Sequence, residues 1–402
     1  MVGRTLYRLL TILLLPFLMY GCAGTGEKNN HIFSTNLSGE GGLHAITECL
    51  MTGSCGWLVE EIDTDAVDPD NAANSVHVSY GRMEDAATAD NVLKYAVRDE
   101  SGQWNITTVD SGGVGWYSSI KVDPLDNAYI SYYDIVNRSL KYATNAKGLW
   151  DVATIDSTSL DTGRSTSLVL DSFNDAHIVY YDSENGSLKY ATNYYGLWTV
   201  STIDSAGNTG WTSSLAIDDS VYRDRLHVVY PEDDNGVLKY ATKTPYSIWS
   251  ITSIDSIGSS TELTQTLLER MVSIDADVDG YVHMGYYDIA DADLKYATNT
   301  TGSWVTSTLD SAGDVGRENS IVTYLDGNQQ VVLIFYLDAG KGKLKYAINT
   351  DGGSGNWVTY TLSIPGSLGE DPSVSVSEDS EKIHITTLDP VNNRLMYISP
   401  IP

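Results

Sequence analysis

Six side chains of unlike chemistry share one recurrent slot in this 402-residue sequence. The slot, usually preceded by glycine and set three residues ahead of a serine, holds Trp57, Trp116, Arg164, Trp211, Arg317 and Glu370; its fifth copy falls on Leu268 or Arg270. Indole rings stack on the C–H face of a pyranose, guanidinium forks grip carboxylates in a bidentate manner, and a carboxyl adds a group for acid chemistry. A ligand with apolar faces and polar or anionic groups, such as a sugar, suits that set. The competing reading is that the tryptophans plug a channel.

A second irregular feature is Asp275-Ala-Asp277-Val-Asp279-Gly280. Alternating carboxylates ahead of a glycine are able to wrap an oxygen-seeking cation, and the string resembles the calcium loops of EF-hands and integrin propellers. Asp275, Asp277 and Asp279 are the expected ligands, with Ca2+ the one cofactor expected. The later acid that completes such loops is missing, and a hairpin turn filled with Asp for turn chemistry is the plainer alternative. No P-loop, G-x-S-x-G elbow, H-E-x-x-H or paired CxxC is present.

These residues sit on a repeat. Leu-Lys-Tyr-Ala begins at Leu93, Leu140, Leu188, Leu238, Leu294 and Leu344, with a decayed Leu-Met-Tyr-Ile at Leu395, in steps of 47, 48, 50, 56, 50 and 51 residues. Each unit holds four runs rich in β-branched and aromatic residues, divided by Gly, Asn and Asp. Four antiparallel strands repeated about a ring form a β-propeller, because one blade alone cannot cover both of its apolar faces. The sequence therefore predicts an all-β, seven-bladed propeller over residues 56–399. Trp-led fourth strands number only six, at Trp104, Trp150, Trp198, Trp249, Trp304 and Trp357. Trp57 is taken to open the first strand of blade one, and a segment upstream, Leu43 to Leu50 or His31 to Leu37, is expected to supply the missing outer strand. Cys49 and Cys55 then staple this 43–55 closing segment.

The repeat also explains residues that look functional in isolation. His77, His177, His227, His283 and His384 occupy one position at the start of the second strand, dealt one to a blade and too dispersed to share a metal. Lys94, Lys141, Lys189, Lys239, Lys295 and Lys345 recur likewise, and pair with equally regular aspartates such as Asp110, Asp156 and Asp204 or Asp134, Asp182 and Asp288. Repeated tyrosines, Tyr180, Tyr181 and Tyr190 among them, are expected to pack between blades.

The chain opens with Arg4 and Arg8, an apolar run from Leu9 to Met19, and Gly21-Cys22. That order is a secretory signal, too short to span a bilayer. Leu18 to Cys22 resembles a bacterial lipobox, which implies a signal peptide over 1–21, acylation of Cys22, a flexible tether over 22–42, and attachment to the outer membrane or cell surface. Lys and Arg number 24 against 53 Asp and Glu, a formal charge of −29, and loss of Arg4 and Arg8 with the signal takes it to −31. Nucleic acid is excluded as a partner by that charge. A monomer is expected.

The Trp, TID, YYD and LKYATN blocks of residues 56 to 398 look like propeller repeats of secreted and lipid-anchored bacterial proteins, loosely akin to the sialidase superfamily. The resemblance implies the fold more than an activity. True sialidases are similar in having six blades, three arginines on a substrate carboxylate and a Tyr/Glu pair; here Arg164, Arg317 and Arg270 resemble the arginine cluster, with Glu370 near them. Two functions are thus expected to compete: a recognition propeller binding carbohydrate or protein at the channel mouth, and a glycoside hydrolase or lyase using Glu370, Arg164 and Arg317. A structural envelope lipoprotein with a plugged channel is the third.

Overall fold

A computed structural model describes residues 42–64, 66–73, 76–83, 91–99, 101–218, 224–259, 270–364, 369–377 and 382–401. Among them, twenty-eight strands form seven four-stranded antiparallel sheets. Blade three shows the pattern: Thr162–Leu170, Ala176–Asp182, Ser187–Thr192 and Thr199–Asp204 lie side by side in chain order. Its second strand is buried along nearly its whole length, since neighbouring blades cover both faces, whereas the fourth is exposed at four of its six residues.

First strands touch first strands all the way round. Ala66–Ala73 meets Val114–Val122, followed by Thr162–Leu170, Ser214–Asp218, Val272–Ala276, Val315–Asp326 and Glu370–Ser377, which returns to Ala66–Ala73. The ring is closed, and these strands surround its axis. Seven apolar clusters lie one to each seam between blades; Leu188, Tyr190, Val228 and Tyr230, for example, fill the seam between blades three and four.

The closing strand is β1, Gly56–Thr64, which pairs antiparallel with Arg394–Ile401 as the outer strand of blade seven. This corrects the expectation for Trp57. It leads the seventh outer strand, and blade one begins with Ala66–Ala73, where Val67 holds the slot's register opposite Gly81. The expected strand from Leu43 to Leu50 is also corrected: the segment lies in a helix, α1, Gly42–Thr52. Ile46 and Leu50, four residues apart on one helical face, are buried in the seam between blades six and seven. The hydroxyls of Tyr346 and Tyr360 donate to the carbonyls of Leu50 (2.9 Å) and Met51 (3.2 Å), and Cys49 is joined to Cys55. The alternative His31 to Leu37, like Cys22 and the tether, lies outside the described residues.

Polar ties are as periodic as the apolar ones. Tyr180 donates to Asp156 at 2.7 Å and Lys189 pairs with the same carboxylate, so two strands of blade three grip the end of blade two's outer strand. The same triad recurs as Tyr132, Lys141 and Asp110; Tyr230, Lys239 and Asp204; Tyr286, Lys295 and Asp255; and Tyr336, Lys345 and Asp310. The histidine slot is structural, as expected. Each of the five hydrogen-bonds through Nδ1 to a tyrosine hydroxyl, at 2.5–2.7 Å. Burial lowers His227 and His384 to about 4, which keeps them neutral. Outer-strand indoles lie against the third-strand tyrosine of the preceding blade, Trp198 on Tyr142 at 4.9 Å among them.

Because removal of one member of a buried ion pair strands the other, Asp156→Ala is expected to cost about 3 kcal/mol in urea unfolding. Burial raises the Asp156 pKa, but hydrogen bonds from Lys189, Thr158 and Tyr180 outweigh it and hold the carboxyl at about 2, below the ordinary 3.8. Its folded pKa is depressed, so its contribution is complete above pH 4 to 5 and disappears as pH falls through about 2. The stability difference between wild type and Asp156→Asn, followed from pH 6 to pH 2, should shrink by about 2 kcal/mol.

Candidate functional site

The slot is made by backbone before side chain. Gly163, at φ 106°, lies so close to blade two that a Cβ would stand 2.5 Å from the Leu140 nitrogen; Gly316, at φ 102°, would put one 2.6 Å from the Leu294 Cα. After the slot residue the chain enters the left-handed region at Tyr117, Ser165, Glu318 and Asp371, with φ of 47–53°. Register slips at the same point, between Trp116 and Ser119, Arg164 and Ser167, Arg317 and Ser320, and Glu370 and Ser373. A left-handed non-glycine residue costs roughly 1 kcal/mol. Its return at one place in four blades marks a bulge that the ring itself imposes.

The recurring serine then joins first strand to first strand. Ser119, Ser167, Ser214 and Ser320 accept through Oγ from the amides of Leu168, Leu215, Ile274 and Val374 in the next blade, at 3.0–3.3 Å. Between blades five and six Asp275 does this work, accepting from the Thr323 amide at 2.7 Å and its hydroxyl at 3.1 Å. Asp277 accepts from the turn amides of Asp279 and Tyr281 and lies 3.1 Å from His283 Nε2. The expected cation ligands are therefore engaged separately, and Asp279 is exposed. No group of three His, Cys, Asp or Glu among the described residues is arranged to hold a metal ion.

Topology puts every slot at the end of the ring where first strands begin, here called the mouth. Trp116, Arg164 and Trp211 stand on blades two, three and four; Arg317 and Glu370 stand on blades six and seven. Trp57 belongs to the outer strand, and Leu268 lies outside the described residues. Arg164 and Arg317 each stand beside an aspartate of their own loop. Arg164 donates to both oxygens of Asp161, at 3.1 and 2.6 Å, over the ring of Tyr133, whose hydroxyl donates to Asp161. Arg317 repeats the motif three blades on with Asp314 at 2.9 Å and Tyr287. In both loops the aspartate stands three residues before the arginine; where the slot is Trp211, that place is Asn208.

Blades five to seven join Arg270, one of the two candidates for the fifth slot, to Glu318 and Asp371, which pattern reading missed. Arg270 Nε pairs with Asp371 at 2.8 Å, and the Asp371 amide donates to Glu318 Oε2 at 2.7 Å. Glu318 lies deep in the ring yet keeps partial solvent contact, as a channel-lining group does. Burial, reinforced by Glu370 and only partly offset by the Asp371 amide, Arg270 and Arg317, pushes its carboxyl up to about 7. Burial also raises Glu370. Neither glutamate has a cation within ion-pair distance among the described residues. The available signal was the residue after each slot, where Glu318 and Asp371 replace Tyr117 and Ser165.

No protein-family model matches the sequence, and no curated protein matches it. Among solved structures the ring is similar to an ulvan lyase described as a new family of polysaccharide lyase, with TM-score 0.56 and 11% identity over 85% of this chain and 95% of that one. A structure of that lyase bound to -[GlcA(1-4)Rha3S]- is similar at TM-score 0.55. The six-bladed fucose-recognising lectin of Aleuria aurantia matches at TM-score 0.48 and 10% identity, over 70% and 90% of the two chains. At such identities the likeness concerns the fold.

A carboxyl raised in the folded state works against folding as it ionises, from about its ordinary value of 4.5 until it is fully charged above about 7. Glu318→Gln keeps an acceptor for the Asp371 amide. The variant should melt within about 1 °C of wild type at pH 5 and at least about 2 °C higher at pH 8.5, by calorimetry.

Proposed function

We propose that this chain is a lipid-anchored, extracytoplasmic recognition propeller whose mouth binds a carbohydrate that is neutral or carries an amine, and does not cleave it. One observation carries the reading: Arg164, Arg270 and Arg317 each have a carboxylate of their own, in Asp161, Asp371 and Asp314, while among the described residues Glu318 and Glu370 form no ion pair. The surplus charge is negative. Carboxylates accept sugar hydroxyls and attract ammonium groups, and they repel uronates and sulfates. Trp116 and Trp211, partly exposed on nearby blades, offer the flat faces that pyranose rings stack on. The likeness to the ulvan lyase supports carbohydrate as the ligand class; the anionic character of its -[GlcA(1-4)Rha3S]- does not carry over, because Arg164, Arg270 and Arg317 are each paired with an aspartate.

Trp116→Ala combined with Trp211→Ala should weaken binding to neutral and amino-sugar glycans on an array at least about tenfold, and Glu370→Gln should weaken it less. Tightest binding to sulfated or uronic glycans would overturn the charge argument. Retention of an envelope protein in place of any glycan would move the reading to a protein ligand. Release of sugar from sialosides or uronic-acid polymers by the wild type would make the chain a hydrolase or lyase.

A further inference from the structure

The face opposite the mouth carries the other break in symmetry. There the third strand of each blade turns into the fourth, and the residue just before the outer-strand tryptophan is Gln103, Leu149, Leu197, Ile248, Ser303 or Asn356. It is apolar in three successive blades, two to four, where it is also 82%, 76% and 89% exposed. Tyr195 and Tyr246, two residues earlier on the same turns, are 75% and 71% exposed, and Phe173 at the tip of the adjacent hairpin of blade three is 76% exposed. These side chains stand on exposed turns at one face of the ring. They do not line a groove.

The N-terminal chain joins the ring on this face. β1 starts at Gly56 opposite Ile401, where third strands end, and Cys49–Cys55 fastens α1 to that point. Ahead of α1 stand the apolar run from Leu9 to Met19 and Cys22. α1, the first described element, packs on blades six and seven, across the axis from the apolar sector on blades two to four and on the same face, so a lipid at Cys22 and that sector would give two points of contact with a plane. Aliphatic tips flanked by tyrosines match the acyl boundary and the headgroup layer of a bilayer.

We propose that the face opposite the mouth rests on a lipid surface, with Leu149, Leu197 and Ile248 inserted at its boundary, so that the mouth points away from the membrane. The inference takes the anchor at Cys22 from the preceding reading and adds the orientation. The test uses the full-length chain in phosphatidylcholine vesicles doped with nitroxide lipid, with a fluorophore on Leu197→Cys or, at the mouth side, on Val136→Cys, which is 65% exposed. Quenching at position 197 should exceed that at 136 at least about threefold, and Leu149→Ser with Ile248→Ser should reduce it without lowering the melting temperature. Equal quenching at both positions, or more at 136, overturns the proposal. So does a concentration-dependent dimer of the Cys22→Ser chain that the serine substitutions abolish, since a second copy would then be the occupant. Mass analysis of Cys22 separates the two readings: an unacylated chain quenched at 197 removes the anchor and leaves the orientation standing.

Discussion

Every blade has two apolar faces and no way to cover them alone, and the fold follows from how the seams meet that need. Five successive seams, from blades one and two to blades five and six, combine a cluster such as Leu188, Tyr190, Val228 and Tyr230 with a polar lock of tyrosine, lysine and aspartate at the edge. Apolar burial supplies the larger part of the stabilisation but has no direction. The lock supplies direction, because Lys189 and Asp156 are both nearly buried and satisfy each other in one relative placement of two blades. Seven such placements must sum to a full turn, and β1 on Arg394–Ile401 makes the last one intramolecular.

One seam departs from this rule in a consistent way. Between blades six and seven, Ser363, Thr387 and Met396 hold the positions of aspartate, tyrosine and lysine, so the whole lock is replaced and no member is left behind. Substituting a complete buried ion pair is tolerable where losing half of one is not. Blade six also has Leu333 in the histidine slot, opposite Ile348. The Tyr346 hydroxyl, which would otherwise meet a histidine, donates to the Leu50 carbonyl, and α1 lays Ile46 and Leu50 over the apolar seam. The helix docks where the repeat has lost its polar ties.

Much of this was legible because the repeat aligns positions. Blade number, the strand pattern, the pairing of lysines with Asp110, Asp156 and Asp204, and the structural histidines all follow from reading seven copies against each other. Trp57 was misplaced although the signal was present: Ile62 and Asp63 follow it at the spacing of Ile203 and Asp204 after Trp198. The missing outer strand was sought too far upstream because Trp57 had been assigned to a first strand. Glu318, Asp371 and Arg270 were not legible as a group. Their meeting depends on how the bulges of three blades face one another, and single-blade periodicity is silent about contacts between non-equivalent positions.

The mouth is variable for a physical reason. Its backbone is fixed by glycine contacts with the preceding blade and by a left-handed residue, so the turn does not depend on which side chain fills the slot, and that side chain's chemistry is free to change. The appearance of aspartate three residues before Arg164 and Arg317, with asparagine before Trp211, shows the ring neutralising its own cations at that freedom. A sialidase-like grip on a substrate carboxylate needs arginines left unpaired. Among the described residues this mouth has Glu318 and Glu370 outside any ion pair instead, and burial raises both carboxyls, Glu318 to about 7, so that each accepts from a hydroxyl or an ammonium group once ionised. Fold likeness and site charge thus separate here: the scaffold is similar to that of a lyase solved with -[GlcA(1-4)Rha3S]-, while Arg164, Arg270 and Arg317 of this mouth are each paired with an aspartate.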